Sequence, residues 1–188
     1  MRYKAEPRGA PPQGVSDQMT AETVTKGGAH DVRKFRNALG CFTTGVAVVT
    51  TREGGKEPIG ITVNSFSSVS LDPPLVLWCL DKGSDTLDVF SKATHFTVNV
   101  LREEHREMSS RLARKGGHSL EGIEVVEGES SIPALKEALA HFECEIDARH
   151  DAGDHVIMVG RVLKFDYVED GRPLLYHRGG YNFLPPVG

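Results

Sequence analysis

The run from Gly60 to Leu77 constrains this chain more than any other stretch. It opens as an alternating strand, with Ile61 and Val63 on one side and Thr62 and Asn64 on the other. It passes through the hydroxyl-rich segment Ser65 to Ser70, breaks at Pro73-Pro74, and resumes as an apolar strand from Leu75. Thr, Asn and Ser are short side chains that offer donors and acceptors without filling the space above them. Such a face suits a flat, polar ligand lying against a sheet.

A chain of 188 residues with 39% hydrophobic and 26% charged content fits one globular domain with a sizeable core. We expect a flexible arm over 1–28, where Pro7, Pro11, Pro12 and small polar residues dominate, and a single domain over 29–188. A net charge of −4 gives no reason to expect a nucleic-acid partner. No apolar run reaches the roughly 18 residues of a membrane span, and the first residues lack the apolar centre of a signal peptide. Cys41, Cys79 and Cys144 are far apart and form no C-x-x-C pair. Buried, reduced thiols in a cytoplasmic protein are the expected reading.

Along the chain, helices are expected from His30 to Leu39, capped by Asp31, from Ser84 to Ser91, and from Glu103 to Lys115. Strands are expected over 42–51, 58–70, 75–80, 95–101, 142–149, 156–168 and 174–176, with 42–70 forming a hairpin. Leu75 to Leu80 is apolar throughout, as in a strand covered on both faces. The segment 117–133 reads as irregular. Strands outnumber helices and hairpin signals dominate, which predicts a mainly β, antiparallel barrel with a few helices.

The chain has no Walker or G-x-G-x-x-G motif and no G-x-S-x-G elbow. A nucleotide would need another device. Asp81-Lys82-Gly83-Ser84-Asp85-Thr86 sets a lysine, a glycine and two hydroxyls where a helix is expected to begin; it reads either as a capped turn or as an anion site. Arg111 reads either as a solvated helix cation or as a bidentate phosphate ligand. Around His150-Asp151-Ala152-Gly153-Asp154-His155, a polar hairpin tip is the expected reading rather than a metal site. Arg178-Gly179-Gly180-Tyr181 reads either as a capping strand or as a close backbone approach beside a stacking ring.

From Phe35 to Phe183, these motifs in this order closely resemble the short-chain flavin reductases, which bind FMN on a split β-barrel. The resemblance implies that Pro58, Ile59, Gly60, Ile61, Thr62, Asn64 and Ser65 line the isoalloxazine and ribityl groups. It implies that Cys79, Leu80, Asp81, Lys82, Ser84, Asp85 and Thr86 reach the ribityl chain and phosphate, with Arg111 adding a phosphate contact. His155 would position the dihydronicotinamide, and Arg178 and Tyr181 would belong to the C-terminal part of the site. The implied reaction is hydride transfer from NADH or NADPH to FMN, or to FAD, by a homodimer that supplies reduced flavin to a separate monooxygenase. Two alternatives share the barrel: a cobalamin or cobyrinic acid reductase using bound FMN, and a non-catalytic flavin- or heme-binding module.

Overall fold

The computed structural model describes residues 26–184, apart from Ala29, Gly55 and Glu129. Most of the expected arm, 1–25, and residues 185–188 lie outside the described residues. The first helix, α1 (Val32–Leu39), starts at Asp31, whose carboxylate accepts the Lys34 N–H at 3.1 Å. Its apolar residues Val32, Phe35 and Leu39 are all exposed.

The strands follow as β1 (Thr44–Gly45), β2 (Ala47–Thr51), β3 (Ile59–Val63), β4 (Ser67–Leu71) and β5 (Pro74–Asp81). Helix α2 (Leu87–Lys92) leads to β6 (His95–Val100), and a 3-10 turn, Glu103–His105, leads to α3 (Arg106–Leu112). The chain continues through β7 (Val125–Glu127), β8 (Pro133–Leu135), β9 (Ala140–Ala152), β10 (His155–Tyr167), β11 (Leu175–His177) and β12 (Gly180–Asn182). The run expected as one strand over 42–51 is split at Val46, because β1 pairs with β11 while β2 pairs with β3 and β6. The segment 117–133 is not wholly irregular, since β7 and β8 form a small hairpin there.

Seven strands form one antiparallel sheet in the order β3-β2-β6-β9-β10-β5-β4. Laid flat, its outermost strands would stand about 29 Å apart, at about 4.8 Å per gap. Yet β3 ends at Val63 and β4 starts at Ser67, and four residue steps reach at most about 14 Å. The sheet must therefore curl until its two edges approach. No ladder joins β3 to β4, so the barrel is split along that seam.

The interior is filled by Val49, Trp78, Phe90, Phe96, Val98 and Met158, with Trp78 packed edge-on against Phe90 and Phe96. A second cluster, including Val46, Val48, Leu101, Leu112 and Leu120, lies on the other side of β2. The central strands β2, buried at all five positions, and β6, buried from Phe96 to Asn99, are covered on both faces, and β5 is not. In β5, Val76, Trp78 and Leu80 are buried while Leu75, Leu77 and Cys79 are half-buried, because only one side of that strand faces the barrel interior.

The cysteines divide in the same way. Cys144 is buried, and burial pushes its thiol up to about 12. Cys79 is half-buried, and Cys41, just beyond α1, is exposed, against expectation.

Candidate functional site

The site is built where β3, the end of β5 and the segment after α3 meet. Gly60 pairs with Thr50 of β2 on one side. On its other side Gly60 donates its N–H to the His118 carbonyl at 2.9 Å, and Ile59 bridges to Ser119. Segment 118–119 therefore covers the free edge of β3. A Cβ on Gly60 would come within 2.9 Å of Leu120 and 3.0 Å of Val48, so the backbone approach there depends on glycine.

The hydroxyls of the opening strand are firmly placed. Thr62 Oγ1 donates to the Ser109 carbonyl of α3 at 2.8 Å. Ser109 Oγ lies 2.8 Å from the Tyr181 hydroxyl, which ties β12 to the same place. Ser65 Oγ bonds the backbone of Cys79. Thr62 and Ser65 are half-exposed and Asn64 is exposed, while half-exposed Ile59 and Ile61 lie on the opposite side of β3 from Thr62 and pack against the barrel interior.

Helix α2 begins at Leu87, three positions after the expected Ser84. The polar side chains before it are engaged elsewhere. Asp81 Oδ1 accepts the Gly83 N–H at 2.7 Å, and Ser84 Oγ accepts the Thr86 N–H at 3.2 Å and lies 2.8 Å from Thr86 Oγ1. Competition from short polar side chains for backbone donors favours a turn over a helix. Thr86 is buried, whereas Asp81, Lys82 and Gly83 are exposed.

Asp85 reaches away from α2. Its carboxylate accepts the Gly116 N–H at 2.7 Å and lies 2.8 Å from His118 Nε2, while His118 Nδ1 lies 3.2 Å from the Gly60 carbonyl. Burial alone would raise the Asp85 carboxyl, but the Gly116 N–H and the His118 ring outweigh it and hold the group below its ordinary value. Residues Ser109, Gly116 and His118 were not singled out from the sequence as site residues. A histidine directly after a Gly-Gly helix stop was the available cue.

The hairpin tip between β9 and β10 joins this rim. His155 stands opposite Asp81 in the β10–β5 ladder. Lys82 donates its backbone N–H to Asp154 and its ammonium to the Gly153 carbonyl at 2.9 Å, and it pairs with Asp151. His155 Nδ1 lies 2.8 Å from Asp154, and that contact holds the Asp154 carboxyl below its usual range. Arg111 donates to the carbonyls of Ser119 at 3.2 Å and Glu121 at 3.1 Å. Both cations expected near a phosphate are thus partly committed to carbonyls. A lysine ammonium has three donors and a guanidinium five, so each keeps N–H groups to offer.

The C-terminal element meets this region through Tyr181, while Arg178 lies at the turn before it. The Tyr181 ring packs edge-on against Tyr176, with the Arg106 guanidinium 5.9 Å from its centre. Arg178 sits in the β11–β12 turn, where its N–H donates to the Gly40 carbonyl at the end of α1.

The family model described as Flavin reductase like domain matches residues 39–185. The chain belongs to the flavin reductase family. Within that family, the FMN reductase (NADH) SmoA of Agrobacterium fabrum is 47% identical over 166 residues, covering 87% of this chain and 92% of that protein. The reductase subunit HsaB of a flavin-dependent monooxygenase from Rhodococcus jostii is 37% identical over 169 residues, covering 90% of this chain and 86% of its own. The NADH:FAD oxidoreductase SgcE6 of Streptomyces globisporus superimposes with a TM-score of 0.82 at 33% identity, covering 88% of this chain and 99% of its own. Its complex with NAD and FAD fragments superimposes at 0.78 with 35% identity, covering 83% and 94%. The split-barrel fold is shared with these flavin reductases. Among the described residues, no helix is long and apolar enough to cross a membrane.

Proposed function

We propose that this protein is an NAD(P)H-dependent flavin oxidoreductase that reduces FMN and passes it to a separate monooxygenase. The observation that carries this reading is the convergence of four segments on one rim: β3, the end of β5, the 81–86 turn and the β9–β10 tip. The register that sets His155 opposite Asp81 joins the expected flavin side to the expected nicotinamide side. The donor set fits a flat, polar, anionic ligand, with half-exposed Thr62 on β3, Asn64 and Ser65 after it, and remaining cationic donors on Lys82 and Arg111.

Bound flavin and nicotinamide would supply the redox chemistry, hydride transfer from the nicotinamide to the flavin. The chain's own residues bind and orient. Ile59, Gly60, Ile61 and Thr62 of β3, with Pro58 before it and Asn64 and Ser65 after it, offer the face for the ring. Cys79, Leu80 and Asp81 of β5, with Lys82, Ser84, Asp85 and Thr86 of the turn, serve the ribityl and phosphate end beside Arg111. His155 orients the second substrate, and Arg178 and Tyr181 close the C-terminal side.

We further propose a homodimer. Leu71, Leu163, Phe165 and Tyr167 on the sheet, and Val32, Phe35 and Leu39 on α1, are exposed apolar side chains that a second copy would cover. Three free cysteines are in keeping with a reducing cytoplasm.

Multiple-turnover oxidation of NADH by the purified chain with excess FMN tests the reading. Bound flavin without turnover would reduce the protein to a binding module. Equal dissociation constants for FMN and riboflavin would remove the phosphate end of the site. A monomer in sedimentation equilibrium at micromolar concentration would remove the dimer.

A further inference from the structure

We propose that His118, acting through Asp85, is the positioning residue that fixes the 81–86 turn against β3 and so sets the distance between the two ends of the flavin site. This rests on the flavin reading above.

Three chain segments remote in sequence meet at one ring. Nδ1 of His118 faces the Gly60 carbonyl at 3.2 Å and Nε2 faces the Asp85 carboxylate at 2.8 Å. Both neighbours are acceptors, so both bonds are made together only when each nitrogen carries a hydrogen. The His118 side chain is 10% exposed and that of Asp85 30%, so the bond is screened from water on one side. The second Asp85 oxygen takes the Gly116 N–H, which fixes the carboxylate in orientation as well as position.

The two ends of this bridge differ in how else they are held. Gly60 stays in the β2–β3 ladder and keeps its N–H bond to the His118 carbonyl whatever the ring does. The 81–86 turn has no ladder partner beyond Asp81; besides the His118 ring, it is held by the Gly116 N–H at Asp85, by Lys82 at the exposed hairpin tip and by buried Thr86 at the start of α2. Loss of the ring therefore loosens the turn and leaves the β3 face in place. A ligand whose phosphate reaches the turn should suffer most, and one that ends at the ribityl chain should suffer less.

The test compares FMN with riboflavin, titrated into the full-length chain and followed by flavin fluorescence quenching. His118→Leu should weaken FMN binding about tenfold, the effect of losing about 1.4 kcal/mol, while riboflavin, which lacks the phosphate, should lose clearly less. Asp85→Asn keeps an oxygen for one donor but gives up the carboxylate; it should weaken FMN binding by a smaller factor and serves if His118→Leu does not fold. The double variant should be no worse than His118→Leu alone, because both changes remove one bridge. Parallel loss of FMN and riboflavin, an unchanged FMN affinity, or additive losses in the double variant would overturn the proposal. A wild-type chain that does not prefer FMN over riboflavin would instead overturn the phosphate reading, and this proposal with it, before any variant is compared.

Discussion

Ser65 and Cys79 hold each other twice: Ser65 Oγ accepts the Cys79 N–H at 2.9 Å and donates to the Cys79 carbonyl at 3.4 Å. This pair ties the link between β3 and β4 to β5, so Ser65 carries part of the fold as well as its proposed part in the site. Ser65→Ala should lower apo stability by about 0.5–1.5 kcal/mol per bond lost, visible as a fall in thermal midpoint. Asn64→Ala, at the neighbouring exposed position, should weaken flavin binding and leave that midpoint nearly unchanged. A drop of several degrees for Asn64→Ala would make that residue structural too.

His155→Ala should leave FMN affinity near wild type and lower kcat/KM for NADH about tenfold, the effect of one lost polar contact. Its position opposite Asp81 puts it beside the end of β5, where the flavin is proposed to lie, without making it part of the β3 face. Stopped-flow reduction of the FMN-loaded variant is the measurement. Unchanged kinetics across the NADH range would leave His155 as a turn histidine bonded to Asp154.

The Asp85 bridge should fail on the acid side. Its folded carboxyl is held below the ordinary 3.8, so the unfolded chain takes up this proton first as pH falls. The stability from this group is complete above that value and drains away as pH drops through the lower folded value. Wild type should therefore be more stable than Asp85→Asn at about pH 5–7, and the gap should narrow below 3.8. Thermal melts of both proteins across that range decide it, and a gap that widens in acid would contradict the assignment.

Gly160→Ala should destabilise the barrel. A Cβ there would collide with the Phe96 ring and stand 2.9 Å from Cys144 Cβ, in a fully buried part of the sheet. Overpacking of this kind costs about 1–3 kcal/mol. Urea denaturation should show a lower midpoint with an unchanged slope, and a midpoint equal to wild type would mean that β10 shifts at its bulge beside Val159.

The sequence by itself determined most strands of the barrel, the helix capped by Asp31 and the order of the motifs, but it ran β3 and β4 together as one strand over 58–70 and left β7 and β8 unmarked and β12 undecided. The features it determined are set by local causes: alternation, caps and breaks act over a few residues. It also carried the family resemblance, because the motifs fall in order along one chain. Only the tertiary structure decided which strands are covered on both faces: β5 is the more apolar in sequence, yet β2, with Thr50 and Thr51, is the one buried throughout, because the second cluster packs on its other side. The same holds for Lys82, whose local context of glycine and hydroxyls gives no sign that the ammonium turns to the Gly153 carbonyl. His118 meets Asp85 across 33 positions and Gly60 across 58. No pattern of period two or 3.6 records such a meeting, because it follows from how the sheet curls and where the segment after α3 comes to rest.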